Sequence, residues 1–307
     1  MRIPALLCVA WTLAACTTQA QYVSATSKFS EAVLPATEAY RGFVTRAYTT
    51  QADSHMRQAE IDPSKPLDPL TLAETRSFSE QSLLARIEAM DALVLYGRAL
   101  AAASATDVGA DFKAKALAAG SSFDSALATA RQLAGDGNEA KALAGPISAI
   151  VGVIGEAVIR DKQAQEIRQA ILTAGPSTSK LIAAMRHDLS VGSLIKGADR
   201  RKLLSLAASS YNGRLGTKGF EGKVQEAALA KVAEEYAGLT ADQTTTRKVG
   251  DLLEALERAN GKLIAYAQSP SGDDRLKALD DALVAIQDLT LRAELIVAEL
   301  KKVRRAL

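Results

Sequence analysis

Apolar side chains recur at three- and four-residue intervals along this chain, and nowhere do they alternate with polar ones over a strand's length. Phe29, Val33, Ala36, Tyr40, Phe43 and Ala47 form the first such stripe, on a helix predicted to begin near Ser27. Pro35 is expected to kink that helix or mark its first turn. Three prolines in "IDPSKPLDP", Ile61 to Pro69, must end it. A second helix places Leu83, Ile87, Met90, Val94, Gly97 and Ala101 on one face. A third, from Asp107 to Ala134, uses Phe112, Ala116, Ala119, Phe123, Leu127 and Ala130, and "GDGN" stops it.

The fourth predicted helix contains an uncharged run, Ala142 to Gly155, after which charges return at helical spacing from Glu156. "GPSTS", Gly175 to Ser179, is expected to break the chain, with Ser177 or Thr178 capping the next helix. The following "SVGSLIKGADRRK" and "YNGRLGTKGFEGK" are rich in Gly and basic residues and look the least regular. Two helices close the chain. Thr240-Ala-Asp-Gln243 resembles a capping box. Val249, Leu252, Leu256, Ala259, Leu263 and Tyr266 form the seam that follows it. The last helix has Leu276, Leu279, Leu283, Ile286, Ala293, Val297 and Leu300 near heptad spacing.

These elements predict an all-α protein, an elongated antiparallel multi-helix bundle with long helices, forming one domain over residues 28–307. The seams fit either a bundle core or a dimer interface, and the short connections favour packing within one chain. Abundant Ala among Glu, Lys, Arg and Leu supports helix throughout. Lys and Arg number 37 against 35 Asp and Glu, which is not the clustered basic excess of a nucleic-acid binder.

The N-terminus changes the picture from fold to address. Arg2 precedes the apolar run Ile3 to Leu13, too short to span a bilayer as a helix of about 20 residues. Leu13-Ala14-Ala15-Cys16 resembles the lipobox of bacterial lipoproteins. That resemblance implies that residues 1–15 are a signal peptide and that Cys16 is the lipidated residue, cut free at its own amino terminus. Several acyl chains anchor stably where one does so marginally, because each buried CH₂ contributes about 0.8 kcal/mol. Small polar residues 16–27 then read as a flexible tether. Thr17 follows the cysteine where an inner-membrane lipoprotein would resemble the pattern with Asp, which implies the outer membrane, facing the periplasm. Cleavage also removes Cys8, so no disulfide can form within the mature chain.

Candidate chemistry is sparse. His55 and His187 are the only histidines, and neither has a carboxylate at a helical ligand offset, so no metal or cofactor is expected. There is no Gly-x-Ser-x-Gly elbow and no free mature cysteine for nucleophilic work. The best local candidate for binding an anion or partner is the Gly-rich loop carrying Arg214, Lys218 and Lys223, although its glycines do not have P-loop spacing. Arg200-Arg201-Lys202 and the terminal Lys301, Lys302, Arg304 and Arg305 read as helix-end charges.

The expected function is a lipid-anchored, non-catalytic interaction protein of the cell envelope, such as an assembly or secretion accessory or an immunity-type lipoprotein. It is expected to have a protein partner and the membrane, but not nucleic acid. A competing layout resembles helical pore-forming toxins, with 142–155 as the inserting segment. At about 1.5 Å per residue that run reaches roughly 21 Å, short of the roughly 30 Å hydrocarbon core.

Overall fold

The computed structural model of the chain describes residues 5–62, 64, 67–104, 164–269 and 273–305. Among these there are six helices and no strand, so the protein is an all-α helical bundle. The helices are α1 (Ala5–Ile61), α2 (Pro69–Glu74), α3 (Glu80–Ser104), α4 (Ala164–Arg214), α5 (Lys223–Gln268) and α6 (Asp273–Arg305). The predicted third helix, 107–134, and the uncharged run 142–155 lie outside the described residues.

The contacts divide the chain into two compact units, where the sequence suggested one domain. The first draws on α1 through Ala39, α3 from Leu84, α4 through Met185, α5 from Asp251, and α6. The second draws on α1 from Tyr40, the connector with α2, α4 from Arg186, and α5 through Gly250. α1, α4 and α5 therefore contribute long segments to both, and the first turn of α3 belongs to the second.

In the first unit α1 and α3 meet closely. Phe29 packs edge-on against Tyr96 with ring centroids 6.1 Å apart. A Cβ on Gly97 would lie 3.3 Å from the Ser30 backbone, so glycine permits this approach. Here α4 and α5 run antiparallel: Arg168 donates to the carbonyl of Ala267, while Asn260 reaches back to Gly175 and Ser179. α6 then returns along α5, through Lys262–Asp281 at 2.8 Å and Arg258–Asp288 at 2.9 Å.

The second unit repeats the antiparallel α4–α5 pairing, with Lys196 facing Asp242 and Arg200 facing Glu235. α1 joins them, its Tyr40 hydroxyl donating to Asp188 at 2.6 Å. Asp68 caps α2 by accepting from the Leu70 N–H at 3.0 Å, with Pro69 at the first helical position. Ser79 does the same for α3 through the Ser82 N–H at 3.1 Å.

Several expectations hold. Every residue of the predicted first stripe is buried, α1 ends at Ile61, and the whole Val249-to-Tyr266 seam is buried. Others need correction. α1 begins well before Ser27: residues 16–27 are helical, and Ala25 and Thr26 are already buried. Pro35 sits inside α1; it has no N–H, so the carbonyl of Glu31, an exposed residue, loses its helical donor there.

"GPSTS" does not break the chain, because α4 passes straight through Pro176. Thr178 caps nothing; its hydroxyl is buried and donates to the Ala174 carbonyl at 3.0 Å. "SVGSLIKGADRRK" is helical as well. Thr240 lies in the middle of α5, its hydroxyl satisfied by the Tyr236 carbonyl at 3.1 Å, so the capping box is absent.

Two faces are rotated from their predicted positions. On α3 Met90 and Gly97 of the predicted face are buried, but Leu83, Ile87, Val94 and Ala101 are half-buried, and the buried side turns toward Ala85, Ala89, Leu93, Tyr96 and Leu100. Glu80, Glu88, Asp91 and Arg98 gather on one side of that helix, but the apolar arc they leave is wide, so periodicity alone does not choose its inward side. On α6 Leu279, Ile286 and Ala293 of the predicted seam are buried, joined by Ala282, Leu289 and Ile296, while Leu283 is half-buried and Leu276 is 52% exposed.

Candidate functional site

The Gly-rich loop is the α4–α5 turn, and its chemistry is that of a built corner. Gly216, Gly219 and Gly222 have φ of 75°, 86° and 56°, the left-handed region that favours glycine. Thr217 N–H donates to the Arg214 carbonyl at 3.1 Å and its hydroxyl to the same oxygen at 2.7 Å, closing the end of α4. Phe220 turns inward, 4% exposed, edge-on to Tyr211 at 5.7 Å.

Arg214 lies over the other side of Phe220, 4.6 Å from the ring centroid. Its guanidinium thus holds the turn closed. Lys218 and Lys223 are exposed on the same turn. The three cations share a loop, but only Arg214 has a defined position against it. Cys16 lies in the backbone of α1.

The structure gathers charge elsewhere. In the second unit Lys196, Arg200, Glu235 and Asp242 form a network between α4 and α5. Lys196 Nζ lies 3.2 Å from Asp242 Oδ1, and its side chain is only 3% exposed. Arg200 donates from Nη1 to Glu235 Oε2 at 2.7 Å, and its Nε lies 3.5 Å from Asp242 Oδ2. The ring of Phe43 covers the Lys196 ammonium, 4.9 Å from its centroid.

Gly238 opens the lane for Arg200, since a Cβ there would come within 3.1 Å of the guanidinium carbon. Farther along α5, Lys231 donates to the Glu60 carbonyl at 3.0 Å and so caps the C-terminal end of α1. Arg57 pairs with Glu234 beside it.

Sequence reading missed this network by treating Arg200-Arg201-Lys202 as helix-end charges. A signal was available. Lys196 and Arg200 are one turn apart on α4, Glu235 and Asp242 two turns apart on α5, and each pair is about equally far from the intervening turn.

Burial holds the Lys196 ammonium below its ordinary value of 10.5; Asp242 pulls it back up, while Arg46 and Arg200 add repulsion. The unfolded chain then binds this proton more tightly than the folded one. Stability is therefore expected to rise with pH through the window ending near 10.5. Urea unfolding across that range should show the slope, and Lys196→Met should flatten it.

His55 is half-buried on α1 and His187 is exposed on α4. Among the described residues no group of His, Cys, Asp and Glu could hold a metal, and no helix is long and apolar enough to cross a membrane. No protein-family model matches the chain, and no curated protein or solved structure resembles it significantly. The clearest features open to a partner are apolar side chains on helix surfaces. Leu229 and Tyr236 on α5 are 53% and 64% exposed, and Val284, Leu291 and Leu295 on α6 are 65%, 61% and 68% exposed.

Proposed function

We propose that this protein is a lipid-anchored, non-catalytic interaction protein of the bacterial cell envelope, held through Cys16 on the periplasmic face of the outer membrane. The observation that carries the reading is Leu13-Ala14-Ala15-Cys16 placed directly after the uncharged run Ile3 to Leu13. Lipid supplies the attachment, because acyl chains bury apolar area without a spanning segment. The helical body supplies surface: exposed Leu229 and Tyr236, seven residues apart on α5, share one side of that helix and suit an apolar contact with another protein.

The anchor is tested by fractionating cells that make the unaltered protein or Cys16→Ser. The unaltered protein should stay in the washed membrane pellet and the variant should move to the soluble fraction. Equal retention of both would remove lipid as the attachment. The partner is tested by affinity capture from envelope extracts with tagged Cys16→Ser; the same extract passed over Leu229→Glu/Tyr236→Glu should lose the recovered protein.

A further inference from the structure

α6 is buried along one side and apolar along the opposite one. Its inward seam, from Leu279 to Ile296, packs within the first unit. At 3.6 residues per turn, Val284, Leu291 and Leu295 lie about half a turn around the helix from that seam. All three are more than half exposed. Exposed Leu and Val at this spacing make a second seam, not the scattered apolar residues of an ordinary surface.

On one flank of the stripe the carboxylates are paired. Asp288 is paired with Arg258 at 2.9 Å and with Arg292 at 2.9 Å, and Asp281 with Lys262 at 2.8 Å. The stripe is therefore flanked on one side by neutralised pairs, while exposed Asp280 and Glu294 lie toward its other side and Lys277 continues its line one heptad before Val284.

The helix is also polarised in sequence. Its first turns carry Asp273, Asp274, Asp280 and Asp281 against Arg275 and Lys277. Its end carries Lys301, Lys302, Arg304 and Arg305 after Glu299. A second copy laid antiparallel brings each acidic end to a basic end. A parallel copy sets the two basic ends together, which like charges oppose.

We propose that α6 is a self-association surface, on which a second copy of this chain docks antiparallel through Val284, Leu291 and Leu295. In that register Val284 of one copy meets Leu295 of the other, and Leu291 lies beside the twofold axis. The contact is isologous, as a closed dimer requires. It stands on α6 alone and does not depend on the lipid anchor.

The full chain carrying Cys8→Ser and Cys16→Ser, which keeps acyl groups out of the measurement, should sediment as a concentration-dependent dimer. Leu291→Glu/Leu295→Glu should weaken self-association by about a hundredfold or more, with helix content by circular dichroism unchanged. Orientation is read by oxidative cross-linking in the same background. Leu291→Cys should link to its own copy, and Val284→Cys should link to Leu295→Cys in a mixture of the two. A monomer throughout the micromolar range overturns the proposal, whether the stripe then takes another segment of the chain or a foreign protein. A dimer indifferent to the double substitution, or Val284→Cys linking mainly to itself, overturns it as well.

Discussion

Asp242→Ala is expected to destabilise the protein by about 3–5 kcal/mol, the cost of leaving a buried charge without its counter-ion. Lys196 is the charge concerned: its side chain is 3% exposed, Asp242 is the carboxylate in contact with it, and Phe43 closes the other side. Water cannot easily replace the lost carboxylate. Arg200 loses a second contact at 3.5 Å but keeps Glu235, so the damage centres on Lys196.

Adding Lys196→Met should restore most of the loss, because a buried pair replaced on both sides by apolar groups is often neutral or better. Urea unfolding of the two single variants and the double variant gives the coupling. A double variant as unstable as the two losses combined would show that the pair does not act as a unit. The same comparison says what the network is for. If the double variant keeps its helix content and stability, the charges serve to fix how α4 and α5 face each other and not to hold them together.

Gly175→Val is expected to cost about 2–3 kcal/mol through overpacking at the α4–α5 contact of the first unit. A Cβ at this position would lie 2.6 Å from Ile264 Cγ1 and 2.9 Å from its Cδ1. Cγ1 is near the root of a β-branched side chain with few rotamers to escape into. The backbone has little freedom to retreat, because Pro176 follows and Asn260 Nδ2 donates to the Gly175 carbonyl at 2.9 Å.

Asn260 is fully buried, and it also donates to Ser179 Oγ at 2.9 Å, so one side chain fastens two successive turns of α4. Ile264→Ala should partly rescue Gly175→Val. Thermal or urea unfolding should show the pair less damaging than the two losses added, by about 1 kcal/mol or more. Strict additivity would mean that the strain lies in the backbone and not in this contact.

Both predictions concern places where local sequence pointed the wrong way. Gly-Pro-Ser-Thr-Ser has the residues of a helix stop, and Thr240-Ala-Asp-Gln243 those of a helix start. Each lies inside a long helix because tertiary packing outweighs a few tenths to about 3 kcal/mol of local preference. At Gly175 the missing Cβ makes room for Ile264, and burial of Ile171, Leu181 and Ile182 on α4 holds the helix through its proline. At Thr178 and Thr240 the hydroxyls that would have capped a helix turn back to carbonyls one turn earlier. Composition cannot separate these two uses of threonine, since the same oxygen satisfies either.

The sequence by itself determined the class and much of the core. Its three-four spacing gave α1 the stripe from Phe29 to Ala47 and α5 the seam from Val249 to Tyr266, because a helix that buries one side must repeat apolar residues at that interval. It also placed the α4–α5 turn, since only glycine takes the positive φ found at residues 216, 219 and 222 without strain. Three things waited for the tertiary structure: the inward side of α3, the second seam of α6, and the meeting of Lys196 with Asp242. Each depends on which side of a helix faces which neighbour. A helix apolar on two sides carries no local mark of that choice, and Lys196 and Asp242, 46 residues apart, are matched by their similar distances from the turn only once α4 and α5 are known to run antiparallel.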